Sequence, residues 1–244
     1  FLFALGGASW PRLGSDGSWI ASFAAHGAEI SALKPSNSGF RVPWSDIFRD
    51  RFAGQPLKPV HVSHRRFEVS GEAIITQSGI EGGAIYALSA TLRDRIAAEG
   101  SADLVLDLSP NLTAAELAKK IAYAPSGTST ANRLRRAGLT PIAASLLRER
   151  RGGPGLPTAP AELAAIAKAC VIELTGVAPI ERAISTAGGI SWDSINDDYS
   201  LKSDPQTFVA GEMLDWEAPT GGYLLQACFA TGRAAAHGML ERLS

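Results

Sequence analysis

The acidic and glycine residues close to the C-terminus have the types and spacing that could do chemistry. In Phe208-Val-Ala-Gly-Glu-Met-Leu-Asp215 a short apolar run ends in Gly211, Glu212 and Asp215; in Pro219-Thr-Gly-Gly-Tyr223 a glycine pair, Gly221 and Gly222, immediately precedes a long apolar stretch. A glycine pair lets a ligand come close to the backbone. The free N–H groups and positive dipole end of a helix favour an anionic ligand atom. Ionised Glu212 and Asp215 only accept hydrogen bonds, which suits them to the hydroxyls of a polyol. Glycine-rich helix starts also serve as plain caps in many folds, so spacing alone leaves both readings open.

Other residues argue against several common chemistries. No Gly-x-Gly-x-x-Gly follows a strand with an acidic residue about 20 positions later, the fingerprint of the adenine side of a dinucleotide site. Cys170 and Cys228 are the only cysteines and lie far apart, which excludes a Cys-x-x-Cys redox pair, a cysteine-rich zinc site and a disulfide framework. A reducing, cytoplasmic location is expected. His61 and His64 sit three apart on a predicted strand and face opposite ways, so no metal site is expected there. Asp193, Asn196, Asp197 and Asp198 lack the spacing of a calcium loop and read as a turn. Ser9 and Ser78 lie near glycines without a Gly-x-Ser-x-Gly elbow, which gives nucleophilic hydrolysis no support. Arg133, Arg135, Arg136, Arg148, Arg150 and Arg151 concentrate in one stretch; a solvated face is the expectation, with contact to an anionic partner such as RNA as the alternative.

Particular elements must position these residues. The apolar residues 1–5 run into Gly6-Gly7 like a strand already in progress, and a glycine-rich loop then leads to a helix over 18–26. Between 57 and 76, Val60, Val62, Phe67, Val69 and Ala73-Ile-Ile75 alternate with polar residues, as antiparallel strands do. A strand over 104–108 precedes short helices over 114–122, 130–136, 141–149 and 161–168, with Thr113 as the first cap. Strand character returns at 170–174 and 183–189, and the chain closes with strand 207–210, a glycine loop and a helix over 223–242.

The 244 residues carry 45% hydrophobic and 19% charged side chains, enough for packed cores in more than one domain. Lysine plus arginine total 23 and aspartate plus glutamate 24, so no bulk charge attracts nucleic acid or an anionic membrane. No apolar run reaches the ~18 residues of a spanning helix, and no membrane partner is expected.

Three ordered motifs, Leu5-Gly-Gly-Ala-Ser-Trp-Pro-Arg-Leu-Gly-Ser-Asp-Gly17, Ser185-Thr-Ala-Gly-Gly-Ile190 and Ala210-Gly-Glu-Met-Leu-Asp-Trp-Glu-Ala-Pro-Thr-Gly-Gly-Tyr-Leu-Leu-Gln226, carry a resemblance. The chain resembles, over essentially its whole length, the bacterial NAD(P)/FAD-dependent oxidoreductases of the two-dinucleotide-binding-domain superfamily. That resemblance implies an α/β fold: a partial glutathione-reductase-type FAD-binding domain (1–34 and 186–244), a β-barrel-like insert domain (35–110 and 169–185) and a helical insert subdomain (111–168). It implies FAD as cofactor, NADH or NADPH as electron donor and a small-molecule substrate, with hydride transfer through the flavin. Gly6 and Gly7 would line the flavin nucleotide, Gly211 and Glu212 the ribityl-pyrophosphate region with Asp215 nearby, and Gly221, Gly222 and Tyr223 the isoalloxazine. Many relatives have asparagine where this chain has Leu224, which leaves backbone contacts to hold the ring. The resemblance also implies that the adenine-side fingerprint precedes residue 1, so the chain is expected to begin mid-domain; a non-catalytic fragment or binding module is the alternative function.

Overall fold

The computed structural model describes residues 1–243 and separates into two compact units: Phe1–Ser38 with Ala178–Ser244, and Gly39–Val177.

The first unit is a mixed α/β body. Strand Leu2–Phe3 pairs in parallel with Phe208–Val209, and Phe208 N–H donates to Phe1 O (2.8 Å) while Ala210 N–H donates to Phe3 O (3.0 Å). Ile30–Ser36 pairs antiparallel with Ser185–Ile190, with an irregularity between Ala187 and Gly189. Two glycines make that irregularity possible. A Cβ on Gly188 would stand 2.4 Å from Ala32 O, and one on Gly189 would stand 2.4 Å from Met213 O, so only glycine admits both backbones. The core beneath is small and partly aromatic: Trp19 and Phe23 meet edge-on at 5.8 Å and pack with Ile190, Val209, Met213 and Leu214. Helix Tyr223–Leu243 closes the unit. Its far end is fixed by Arg242, whose Nε donates to Asp198 Oδ2 (2.6 Å) and whose Nη1 donates to Pro205 O (2.7 Å).

The second unit contains a seven-stranded sheet in the order Cys170–Leu174, Ala102–Asp107, Pro56–His64, Phe67–Ile75, Gly79–Glu81, Phe40–Arg41, Gly176–Val177, every neighbouring pair antiparallel. The two terminal strands are separated only by Thr175, whose N–H donates to Arg41 O (3.0 Å), so one extended run closes the sheet upon itself. Strict alternation in Ala102–Asp107 sends Leu104 and Leu106 inward. Helices Ala114–Ala122, Thr130–Arg136 and Pro141–Leu146 start on side-chain caps: Thr113 and Glu116 form a reciprocal capping box, Ser129 caps Asn132 N–H and Thr140 caps Ala143 N–H.

The unit boundaries differ from those read in the sequence. The first unit extends to residue 38 and resumes at 178, rather than ending at 34 and resuming at 186, because Ile30–Ser36 pairs along its length with Ser185–Ile190. The helical stretch 111–168 forms no third body. Leu117, Ile121, Leu134, Leu146 and Leu163 share one continuous core with Val60, Val62, Leu104 and Ile172 of the sheet.

Candidate functional site

The loops that follow the two parallel strands meet in one bonded cluster. Gly7 N–H donates to Glu212 Oε2 (3.1 Å) and Thr186 N–H donates to Glu212 Oε1 (2.9 Å). Thr186 Oγ1 in turn accepts from Ala8 N–H (2.9 Å) and Ser9 N–H (3.2 Å). Gly7 must be glycine, because a Cβ there would lie 2.4 Å from Thr186 Oγ1 and 2.5 Å from Thr186 Cβ. Gly6 turns the chain at φ +76°, and its carbonyl accepts from the buried Trp19 indole N–H (3.0 Å). Burial pushes the Glu212 carboxyl above its ordinary value of 4.5, and the N–H groups of Thr186 and Gly7 pull it back only in part. Both Glu212 oxygens are engaged by the chain's own backbone. A carboxylate offers about four lone-pair positions, so acceptor capacity remains on the same group.

Around this cluster the other sequence-predicted residues divide. Gly211 follows strand Phe208–Val209 at φ +78°, and its N–H donates to Thr231 Oγ1 (3.0 Å), which itself donates back to Ala227 O (2.7 Å). Asp215 Oδ2 accepts from Ser31 Oγ (2.5 Å), and its carbonyl accepts from the Trp192 indole (2.8 Å), which holds the segment after Glu212 against strand Ile30–Ser36. Gly221, Gly222 and Tyr223 lie at the exposed start of helix Tyr223–Leu243, with φ +102° and +87° at the two glycines. They take no part in the cluster around Glu212. Nothing stands within 4 Å of a Cβ built on Gly222, so its backbone is open to approach. Burial and the negative charge of Glu212 push the Cys228 thiol up.

Thr186 is the residue that sequence reasoning missed. It ties its own strand to two other segments, through its backbone N–H to Glu212 and through its hydroxyl to Ala8 and Ser9. Its only mark in the sequence is its place in the Ser185-Thr-Ala-Gly-Gly-Ile190 motif, which gives it no role of its own. Ser31 and Thr231 carried no signal.

The remaining chemical candidates resolve individually. Among the described residues no group of three or more His, Cys, Asp or Glu is placed to hold a metal ion. His64 is buried with Nδ1 at Asp103 O (2.8 Å), whereas His61 lies across the strand pair from Ser70 (2.9 Å) and Glu68 (3.4 Å). Burial pushes the Cys170 thiol up to about 12, which makes it inert. Of the clustered arginines, Arg133 donates to Thr158 O, Arg148 to Pro154 O, Arg150 to Leu147, Gly153 and Gly155 carbonyls, and Arg151 to Asp103. These side chains fasten the helical stretch to itself and to the sheet. No helix among the described residues is long and apolar enough to cross a membrane.

Parallel strands whose following loops converge on one cluster define a site at the carboxyl ends of an α/β sheet, the position where such folds bind ligands. The chain belongs to the HI0933-like family: the sequence profile described as the HI0933-like protein Rossmann domain matches residues 1–238. It is also similar to the 3-dehydro-bile acid delta(4,6)-reductase of Clostridium scindens, at 25% identity over 254 aligned positions covering 99% of this chain. The chain spans 62% of that relative's length.

Proposed function

We propose that the first unit carries the ribityl and ring half of an FAD site and that the protein is an FAD-dependent oxidoreductase acting on a small molecule, with NADH or NADPH as electron donor. The observation that carries the proposal is the Gly7–Thr186–Glu212 cluster, which gathers three segments distant in sequence at the ends of two parallel strands. The family membership and the name of the distant reductase support the same reading.

The residues present suit a flavin. Gly221 and Gly222 open a helix of 21 residues with unobstructed backbone at Gly222, which fits the flat ring and its electron-rich edge. Glu212 retains acceptor capacity for ribityl hydroxyls while it fixes the loop at Gly7. When bound, FAD supplies the hydride chemistry. The chain's own contribution is positional: Thr186 and Glu212 hold the loop 6–9 by its N–H groups, and Thr231 and Ser31 hold the two sides of the 211–215 segment. The helix start stabilises negative charge at the ring, and no acid or base is assigned.

The test is flavin content. The purified protein is exposed to FAD, FMN or riboflavin and desalted, and its visible flavin absorbance is recorded before and after addition of NADH or NADPH. The proposal expects retained flavin that is bleached by one nicotinamide. Absence of retained flavin overturns it.

A further inference from the structure

The second unit contains a cavity of about 280 Å³ between the closed sheet and the helical stretch. Its floor is apolar and fully inside the fold: Leu57 and Leu108 come from the sheet side, and Ala137 and Ala143 from the helices. Its polar lining is Lys58, Ser109, Asn111, Lys120 and Thr140. The two lysines are not equivalent. Lys58 Nζ lies 3.5 Å from Glu72, whereas Lys120 makes no ion pair or hydrogen bond among the described residues, its nearest acidic neighbour on the same helix being Glu116, which Thr113 engages in the capping box. An apolar pocket whose lining includes one lysine that makes no ion pair among the described residues complements a molecule with a hydrocarbon body and a single anionic end.

We propose that this cavity is a binding site for a small aliphatic carboxylate, whose carboxylate meets Lys120 and whose chain lies on Leu57, Leu108, Ala137 and Ala143. The small side chains of Ala137 and Ala143 leave the room that leucine would fill. The site lies in the Gly39–Val177 unit and its assignment does not rest on the flavin reading.

The test uses the purified full chain and octanoate, hexanoate and 1-octanol as probes, with affinities from isothermal titration calorimetry. Octanoate is expected to bind at one site, more tightly than hexanoate by about fourfold per methylene until the cavity is full. It is expected to exceed 1-octanol by roughly five- to tenfold, a preference lost in Lys120→Gln. Ala143→Leu is expected to weaken both octyl probes by more than tenfold. If that variant does not fold, the alanine methyl resonances of Ala137 and Ala143 in the wild-type chain give the same information, because they must shift on octanoate addition. Equal binding of octanoate and 1-octanol overturns the role of Lys120. No binding of either, or octanoate binding that leaves both methyl resonances unmoved, overturns the site. Loss of flavin binding would alter none of these outcomes.

Discussion

Replacing Glu212 with glutamine tests whether one carboxylate holds the loop at Gly7. In the wild-type chain each oxygen accepts one backbone N–H, from Gly7 at 3.1 Å and from Thr186 at 2.9 Å. Glutamine keeps one acceptor and turns an amide N–H₂ towards the other donor, so one backbone N–H loses its partner. Stranding a buried donor costs about 1–3 kcal/mol, and relief of the carboxylate's desolvation offsets part of it, which leaves about 2 kcal/mol for Glu212→Gln. Glu212→Ala removes both acceptors and should cost about 3–4 kcal/mol. Because the chain divides into two compact units, a global transition would blur the effect. Amide hydrogen exchange read residue by residue is the better assay, since it reports local opening. At about 1.4 kcal/mol per tenfold, protection of the Gly7 and Thr186 amides should fall roughly 30-fold in Glu212→Gln while amides in strand Ala102–Asp107 stay unchanged. Protection within twofold of wild type at both amides would refute the clamp.

Other outcomes follow from the same geometry. Gly7→Ala places a methyl 2.4 Å from Thr186 Oγ1 and should destabilise the first unit by about 3 kcal/mol; Thr186→Gly on that background should recover part of the loss, measured by the same exchange experiment. The Glu212 carboxyl, raised above its ordinary 4.5 by burial, binds more protons in the folded than in the unfolded state between that value and its raised one. Its contribution to stability must therefore decrease as pH rises through that window, and the decrease should vanish in Glu212→Gln when urea midpoints are compared across pH. Gly189→Ala, with φ +135° and a Cβ 2.4 Å from Met213 O, should break the approach of strand Ser185–Ile190 to the 213–214 segment and lower the thermal midpoint of the first unit by more than 10 °C, monitored through the buried Trp19.

Local signals in the sequence were sufficient wherever an element is set by its own residues. Thr130–Arg136 follows Ser129, Ala114–Ala122 follows the Thr113 cap, and the strands between 56 and 75 show the alternation that one buried face imposes. Elements set by distant partners were not legible. Ile30–Ser36 contains Lys34-Pro35 and drew no element assignment from its own residues; Ser185–Ile190 supplies its pairing. Helix Ser89–Glu99 buries Ser89, Leu92 and Arg93, so its inward face carries almost no hydrophobic period. The sheet closure depends on Gly176 and Val177 meeting Phe40 and Arg41, and nothing local marks those residues. The site shows the same division. Gly7, Gly211 and Glu212 stood out by type, but Thr186 acts on residues more than 170 positions away and looks like any strand threonine.

The central claim is that the open glycine pair before Tyr223 receives a flavin, and the most direct measurement is FAD affinity of Gly222→Val against wild type. Gly222 has φ +87° and no protein atom within 4 Å of a built Cβ, so valine strains the exposed helix start by about 1–2 kcal/mol yet obstructs only a ligand. The reading expects FAD binding to weaken by 30-fold or more while circular dichroism and the exchange protection of Gly7 stay as in wild type. Unchanged FAD affinity in Gly222→Val would contradict it.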